Sequence, residues 1–219
     1  MQAVFLDLDG TLVDPKDGIT ASIRYALDKL GEEAPDADDL TWCIGPSLWQ
    51  SFDTLLGPGA DLVEAVGLYR ERYAETGIFE ADVYDGVGEM LMDLRETGAG
   101  LWIATSKPHV FANRIVDHFG ISAYIDGVFG AELDGSRSDK AELLAHALAE
   151  TGVDPLRSAM LGDRRFDVDG ARANGIASVG ALWGYGEGDE LRIAEADALA
   201  GHPEEVAEIL EDLVPSQGG

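Results

Sequence analysis

The stretch VFLDLDGTLVD, residues 4–14, decides the fold. An apolar run meets two aspartates, Asp7 and Asp9, set two apart and followed at once by Gly10 and Thr11. Aspartate is a poor strand former, and neighbouring carboxylates repel. A short apolar segment bounded by turn residues nonetheless reads as a buried strand, here residues 2–8. The two acids then stand at its carboxyl end. Period-2 alternation puts both on one side, with Leu8 directed into the core.

Working outward, residues 17–30 carry Ile19, Ile23, Ala26, Leu27 and Leu30 on one helical stripe, and Gly31 is a natural stop. Pro35, Pro46 and Pro58 punctuate a region of short helices, and residues 60–76 read as a longer one. Nothing between 15 and 81 alternates like a strand, so this block is expected to be all-helical. From residue 82 the pattern changes. Helices are expected at 87–94, 108–119, 140–150, 166–173 and 203–213. Strands are expected at 100–105, within 127–133, at 158–163 and at 176–182. Strands alternating with helices imply an α/β fold with a doubly wound parallel sheet. The helical block breaks that rhythm after the first strand, so an inserted domain at 15–81 is expected within a core made of 1–14 and 82–219. There are no internal repeats, the polar tail PSQGG closes the chain, and no segment specifies an oligomeric state.

The chain has 219 residues and is 46% hydrophobic, enough for a sizeable core. Its net charge is −27, from 42 acids against 15 Lys plus Arg. That balance argues against a nucleic-acid partner, which requires a basic face, and against an anionic membrane surface. A solvated acidic surface that maintains solubility accounts for it, ahead of adaptation to high salt. No segment approaches 18 uninterrupted apolar residues, so no membrane span is expected. The lone Cys43 has no internal partner and no base near it in sequence, and reads as a small buried hydrophobe. The first residues lack a signal-peptide pattern, and a cytoplasmic location is the expectation.

In an open α/β sheet, ligands bind beyond the carboxyl ends of the strands. Polar residues gather there: Asp7, Asp9, Gly10 and Thr11 after the first strand, then Thr105, Ser106 and Lys107, then Lys140 at a helix start, then Asp163 and Asp167 in GDRRFD. Taken singly, each has an ordinary structural reading as a turn, cap or first-turn acid. Caps and turns alone do not readily produce all four, in this order. Carboxylates converging on one spot repel strongly, and a divalent cation removes that cost. Hard oxygen ligands without His or Cys suit Mg²⁺, with Mn²⁺ or Ca²⁺ as rivals. A hydroxyl from Thr105, backbone N–H groups and the Lys140 ammonium would complete a phosphate cradle. One carboxylate could then attack phosphorus while the other protonates the leaving oxygen.

On these residues the chain resembles the haloacid dehalogenase superfamily of phosphatases. DLDGTL (7–12) resembles the family's first motif, IATSKP (103–108) its second, Lys140 in RSDKAELL its third, and LGDRRFDVDGA (161–171) its fourth; VYDGV (83–87) resembles the re-entry into the core. The resemblance implies a Rossmann-like core with a helical cap at 15–81, and an enzyme that hydrolyses a small phosphomonoester with Mg²⁺. It implies that Asp7 is the nucleophile and a metal ligand, and that Asp9 is the acid and then the base, its carbonyl also meeting the metal. It implies that Thr105 and Lys140 are catalytic and bind the phosphate with Gly10 and Ser106, and that Asp163 and Asp167 hold the metal. The similarity is strongest to the phosphoglycolate-phosphatase-like branch, with a 5′-nucleotidase, a sugar-phosphate phosphatase or a mutase as alternatives. CIGPSL (43–48) resembles the cap loop facing the site. Dehalogenases lack a carboxylate at the place of Asp9.

A phospho-aspartate signalling receiver uses similar groups, but its phosphorylated residue ends a middle strand and it has no use for a helical insertion. A dinucleotide-binding enzyme requires Gly-x-Gly-x-x-Gly after the first strand, where this chain has DLDGTL. Packing within the cap is expected for Trp42 and Trp49, and charge compensation for Arg164 and Arg165. Only four lysines are present, and 107 and 140 both fall in motif positions. A strongly negative surface slows the approach of an anionic ester, and salt screens that field over roughly 10 Å at 0.1 M. Phosphatase kcat/KM is therefore expected to rise with ionic strength at fixed free Mg²⁺; a flat or falling profile would remove the steering argument.

Overall fold

The computed structural model describes residues 1–186 and 188–214, so the tail at 215–219 lies outside the described residues. The chain runs β1 (Ala3–Leu6), β2 (Val13–Asp14), α1 (Lys16–Leu30), α2 (Leu48–Leu56), α3 (Leu62–Tyr73), β3 (Asp82–Val83), α4 (Val87–Glu96), β4 (Gly100–Pro108) and α5 (His109–His118). It continues through β5 (Gly127–Ala131), α6 (Lys140–Thr151), β6 (Ser158–Gly162), α7 (Arg165–Asn174), β7 (Ala177–Ala181), α8 (Gly188–Ile193), β8 (Ala198–Ala200) and α9 (Val206–Leu213). Six strands form a parallel sheet in the order β5-β4-β1-β6-β7-β8. β2 and β3 pair antiparallel on their own, Val13 with Val83 and Asp14 with Asp82.

Both faces of β1 are buried, which is why it reads as a continuous apolar run. Val4 and Leu6 pack with residues of α4, α5 and α9. Ala3 and Phe5 face the other way, onto Leu143, Leu144 and Ala147 of α6 and Ala171 of α7. The result is three layers, α/β/α. β1 sits centrally, and the connections leaving β1 and β6 run in opposite directions along the sheet. Their carboxyl ends form the crevice where such sheets place ligands. No helix among the described residues is long and apolar enough to cross a membrane.

β1 stops at Leu6, two residues short of the strand expected at 2–8. Asp7 N–H still donates to Leu161 O at 2.9 Å, but the chain then turns: Leu8 O accepts from the N–H groups of Thr11, Leu12 and Val13. The two acids therefore reach the same cavity through a turn and not through strand alternation, while Leu8 is fully buried. β4 runs on to Pro108, past its expected end at 105, and α8 and β8 are additional elements in a region left unassigned by the sequence pattern. β8 is three residues long, too short for periodicity to register.

Between β2 and β3 the described elements are helical. α1 docks on the turn at 77–80, where Gly18 N–H donates to Glu80 O at 3.0 Å. A Cβ on Gly18 would lie 1.9 Å from the Gly77 carbonyl oxygen, a backbone atom with no freedom to move aside. Gly18→Ala is expected to destabilise the protein by about 1–3 kcal/mol, the usual range for overpacking, read as a lower urea midpoint; an unchanged midpoint would show that α1 is not held by this contact.

Candidate active site

Four turns at the carboxyl ends of β1, β4 and β6 and at the start of α6 bring the predicted side chains together. Asp7 leaves β1 directly. Lys140 opens α6, where Asp139 caps the helix by accepting from Ala141 and Glu142 N–H. Its ammonium is buried and fully engaged: 2.9 Å to Asp7 Oδ1, 2.7 Å to Asp167 Oδ1 and 2.9 Å to Ala104 O. Burial works against its charge, but Asp167 and Asp7 outweigh that and hold its pKa above the ordinary lysine value.

Asp163 follows β6 and is fully buried. It accepts from Thr11 Oγ1 at 3.1 Å and from Tyr185 N–H at 2.7 Å. Asp167, in the first turn of α7, accepts from Arg164 N–H at 3.1 Å. One carboxylate oxygen each from Asp7, Asp163 and Asp167 lie within 4.8 Å of one another. Burial, then Asp7 and Asp167, push the Asp163 carboxyl up to about 8; burial, against the pull of Lys140, pushes Asp167 up to about 6. Four buried carboxylates, with Asp9, thus face two buried ammonium groups, Lys140 and Lys107. A divalent cation would offset the difference, and three clustered carboxylate oxygens are hard donors that suit Mg²⁺. The residues present fit such an ion.

Gly10 has a distinct place. Its φ is +85°, and a Cβ would fall 2.4 Å from Asp163 Oδ2, so only glycine lets the first turn close against that carboxylate. Its N–H donates to Val13 O at 2.8 Å. Thr105 is buried, and its hydroxyl accepts from Lys107 N–H at 3.2 Å; with Ser106 it lines the cavity beside Asp7 and Asp9. Asp163, Asp167 and Lys140 are placed behind Asp7 and not on the cavity wall.

Lys107 was singled out in the sequence only by the scarcity of lysine, without a role. Its ammonium lies 2.9 Å from Asp9 Oδ2 and also meets the Tyr73 hydroxyl. Thr11, which the sequence places at the first strand end without a role, is bonded to Asp163, whereas no local pattern marks Tyr185, in the loop after β7. The opposite cavity wall comes from 43–49 and α3. Gly45, Pro46 and Trp49 face the acids, Arg70 lies 5.9 Å over the Trp49 ring, and the cavity volume is about 70 Å³. Trp49 packs against the core as expected and also stands on the cavity wall, whereas Trp42 is exposed and is not the packing residue expected. Cys43 is buried, which raises its thiol to about 11 and leaves it unreactive. Arg164 pairs with Glu190 at 3.0 Å and also donates to the Ile44 carbonyl.

A parallel α/β sheet with two aspartates two residues apart at its switch point, the first paired with a buried lysine, fits a hydrolase of phosphate esters. The model of the haloacid dehalogenase-like hydrolase family matches residues 4–181, and the chain belongs to that family. It is 45% identical over 190 residues to a 5′-nucleotidase of Pseudomonas aeruginosa, covering 86% of each. It is 44% identical over 188 residues to tyrosine-protein kinase PtkA of Mycobacterium tuberculosis, covering 86% of this chain and 64% of that one. The crystal structure of a predicted phosphatase from Clostridium acetobutylicum superposes with a TM-score of 0.93 at 35% identity, covering 97% of this chain and 99% of the other.

The raised carboxyl pKa values carry a sign. Between the unfolded value of 3.8 and about 8, the metal-free native state binds protons that the unfolded chain has lost. Stability contributed by Asp163 and Asp167 is thus present below that window and falls as pH rises through it. In EDTA, the melting temperature is expected to drop between pH 5 and pH 8, Mg²⁺ to raise it more at pH 8 than at pH 5, and Asp163→Asn to flatten the drop above pH 6. An equal Mg²⁺ effect at both pH values would count against these carboxylates as the metal site.

Proposed function

We propose that this chain is a Mg²⁺-dependent phosphomonoester hydrolase working through an aspartyl-phosphate on Asp7, with 15–81 a cap domain over a core of 1–14 and 82–219. The observation that carries the reading is the pairing of the two acids with different lysines. Asp7 is held by Lys140, and Asp9 by Lys107. Two carboxylates two residues apart are thereby given separate surroundings, as separate roles require.

In this reading an Asp7 carboxylate oxygen attacks phosphorus. The bond from phosphorus to the ester oxygen breaks, and that oxygen takes a proton from Asp9. Asp9 then accepts a proton from water, whose oxygen attacks the aspartyl-phosphate, releasing inorganic phosphate and restoring the Asp7 carboxylate. Thr105 and Ser106 line the phosphate's place. Lys140 orients Asp7 and offsets its charge. Asp7, Asp163 and Asp167, with the Asp9 carbonyl, would hold Mg²⁺, which when bound offsets the phosphoryl charge.

A cavity of about 70 Å³ is far smaller than the roughly 300–1,000 Å³ of pockets that enclose drug-sized ligands. That supports a small ester of the phosphoglycolate kind. The aromatic wall of Trp49, Tyr69, Tyr73 and Phe111, and the 5′-nucleotidase among the relatives, favour a nucleoside monophosphate as the second reading.

A phosphomonoester panel with Mg²⁺ tests both. Wild-type turnover is expected to vanish in EDTA and return with Mg²⁺, and Asp7→Asn to lower it by at least about 1,000-fold, as for loss of a nucleophile. Near-normal turnover in Asp7→Asn would make the nucleophile assignment wrong. Phosphoglycolate is expected to exceed nucleoside 5′-monophosphates in kcat/KM; the reverse order would establish the second reading.

A further inference from the structure

We propose that Lys107 is a positioning residue for the Asp9 carboxyl, and that the Tyr73 hydroxyl holds the Lys107 ammonium in place to do so. The inference rests on the phosphatase reading above. Lys107 is on β4, and its side chain is 6% exposed. Its ammonium reaches Asp9 Oδ2 at 2.9 Å on one side. On the other it donates to the Tyr73 hydroxyl, and it stands 4.5 Å from the Tyr73 ring centroid.

Tyr73 ends α3 and is itself held firmly. It stacks on Tyr69 with ring centroids 5.1 Å apart and meets Phe111 of α5 edge-on at 5.7 Å. The backbone N–H of Lys107 donates to the Thr105 hydroxyl at 3.2 Å, which fixes the backbone from which the side chain leaves. The lysine therefore has one anchor in the core and one in the cap.

The consequence falls on Asp9. A carboxyl turns freely about its Cβ–Cγ bond unless an oxygen is pinned. Lys107 pins Oδ2, and Oδ1 has no hydrogen-bond partner among the described residues. Oδ1 is thus the oxygen left to present the proton that the leaving ester oxygen takes as its bond to phosphorus breaks. Lys140 cannot substitute, because its three N–H groups are spent on Asp7, Asp167 and Ala104 O.

The test uses leaving-group dependence. An alkyl leaving oxygen requires its proton in the transition state, whereas p-nitrophenolate departs with little help. A group that merely supports the fold or binds phosphate lowers both esters equally. With Mg²⁺, kcat/KM is measured for β-glycerophosphate and p-nitrophenyl phosphate in wild type, Lys107→Met, Tyr73→Phe and the double variant. Both single variants are expected to lower the alkyl-to-aryl ratio by about tenfold or more, in line with the loss of an oriented general acid. The double variant is expected to go no further than Lys107→Met, because Tyr73 acts through that lysine. Tyr73→Phe keeps the ring and the buried charge pair, so it carries the test alone should Lys107→Met fail to fold. Equal losses on both esters, or losses that multiply in the double variant, would overturn the inference and leave the phosphatase reading standing. Absence of phosphatase turnover in wild type would instead remove that reading.

Discussion

The arrangement depends on one electrostatic constraint: excess negative charge buried at the carboxyl edge of a parallel sheet. Asp7, Asp9, Asp163 and Asp167 are all under 9% exposed. Their charges repel in a medium that screens far less than water. Each neighbouring feature lowers that cost. Lys140 meets Asp7 and Asp167 and spends its third N–H on Ala104 O, Thr11 and Tyr185 donate to Asp163, and Arg164 N–H donates to Asp167. Gly10 lets the first turn close against Asp163. Breaking a buried pair by removing one partner typically costs more than the pair contributes, so these donors are interdependent.

The same constraint shapes the contact between the helical segment and the sheet domain. Long cationic side chains bridge the two: Arg70 donates to Leu133 O at 2.6 Å, Arg164 to Ile44 O, and Lys107 to the Tyr73 hydroxyl. Covalent continuity runs through two-residue strands, β2 and β3. Apolar packing joins them as well: Tyr73 meets Phe111 edge-on at 5.7 Å, and the Phe79 and His118 rings lie 4.5 Å apart.

Much of this was legible in the sequence, and for identifiable reasons. The alternation of apolar strands with helices gave the parallel sheet, because burial on both faces demands continuous apolar runs such as residues 3–6. The acids and Lys140 were legible because ionisable groups at strand ends have few structural uses in that combination. What was not legible depends on distant parts of the chain. The early end of β1 follows from Leu8 O accepting three N–H groups in a turn. The bond from Gly10 N–H to Val13 O depends on the same turn. Lys107 and Tyr73 lie 34 residues apart, and Tyr185 lies 22 from Asp163, so no spacing rule connects them. Trp42 and Trp49 have the same apolar character in sequence, but one is exposed and the other lines the cavity.

The charge of −27 then takes on a different meaning inside and outside the molecule. Among the described residues the buried acids are the four at the site, so the remaining acids define the field an approaching ester meets. Such a field opposes an anion at long range and weakens with salt. Within the cavity, Lys107 and Arg70 supply cationic walls, and low-dielectric surroundings make each count for more than a surface charge. Entry is therefore opposed at distance and favoured at contact. A phosphate ester gains only on reaching the cavity, where the same lysine that meets the cap also holds the Asp9 carboxyl.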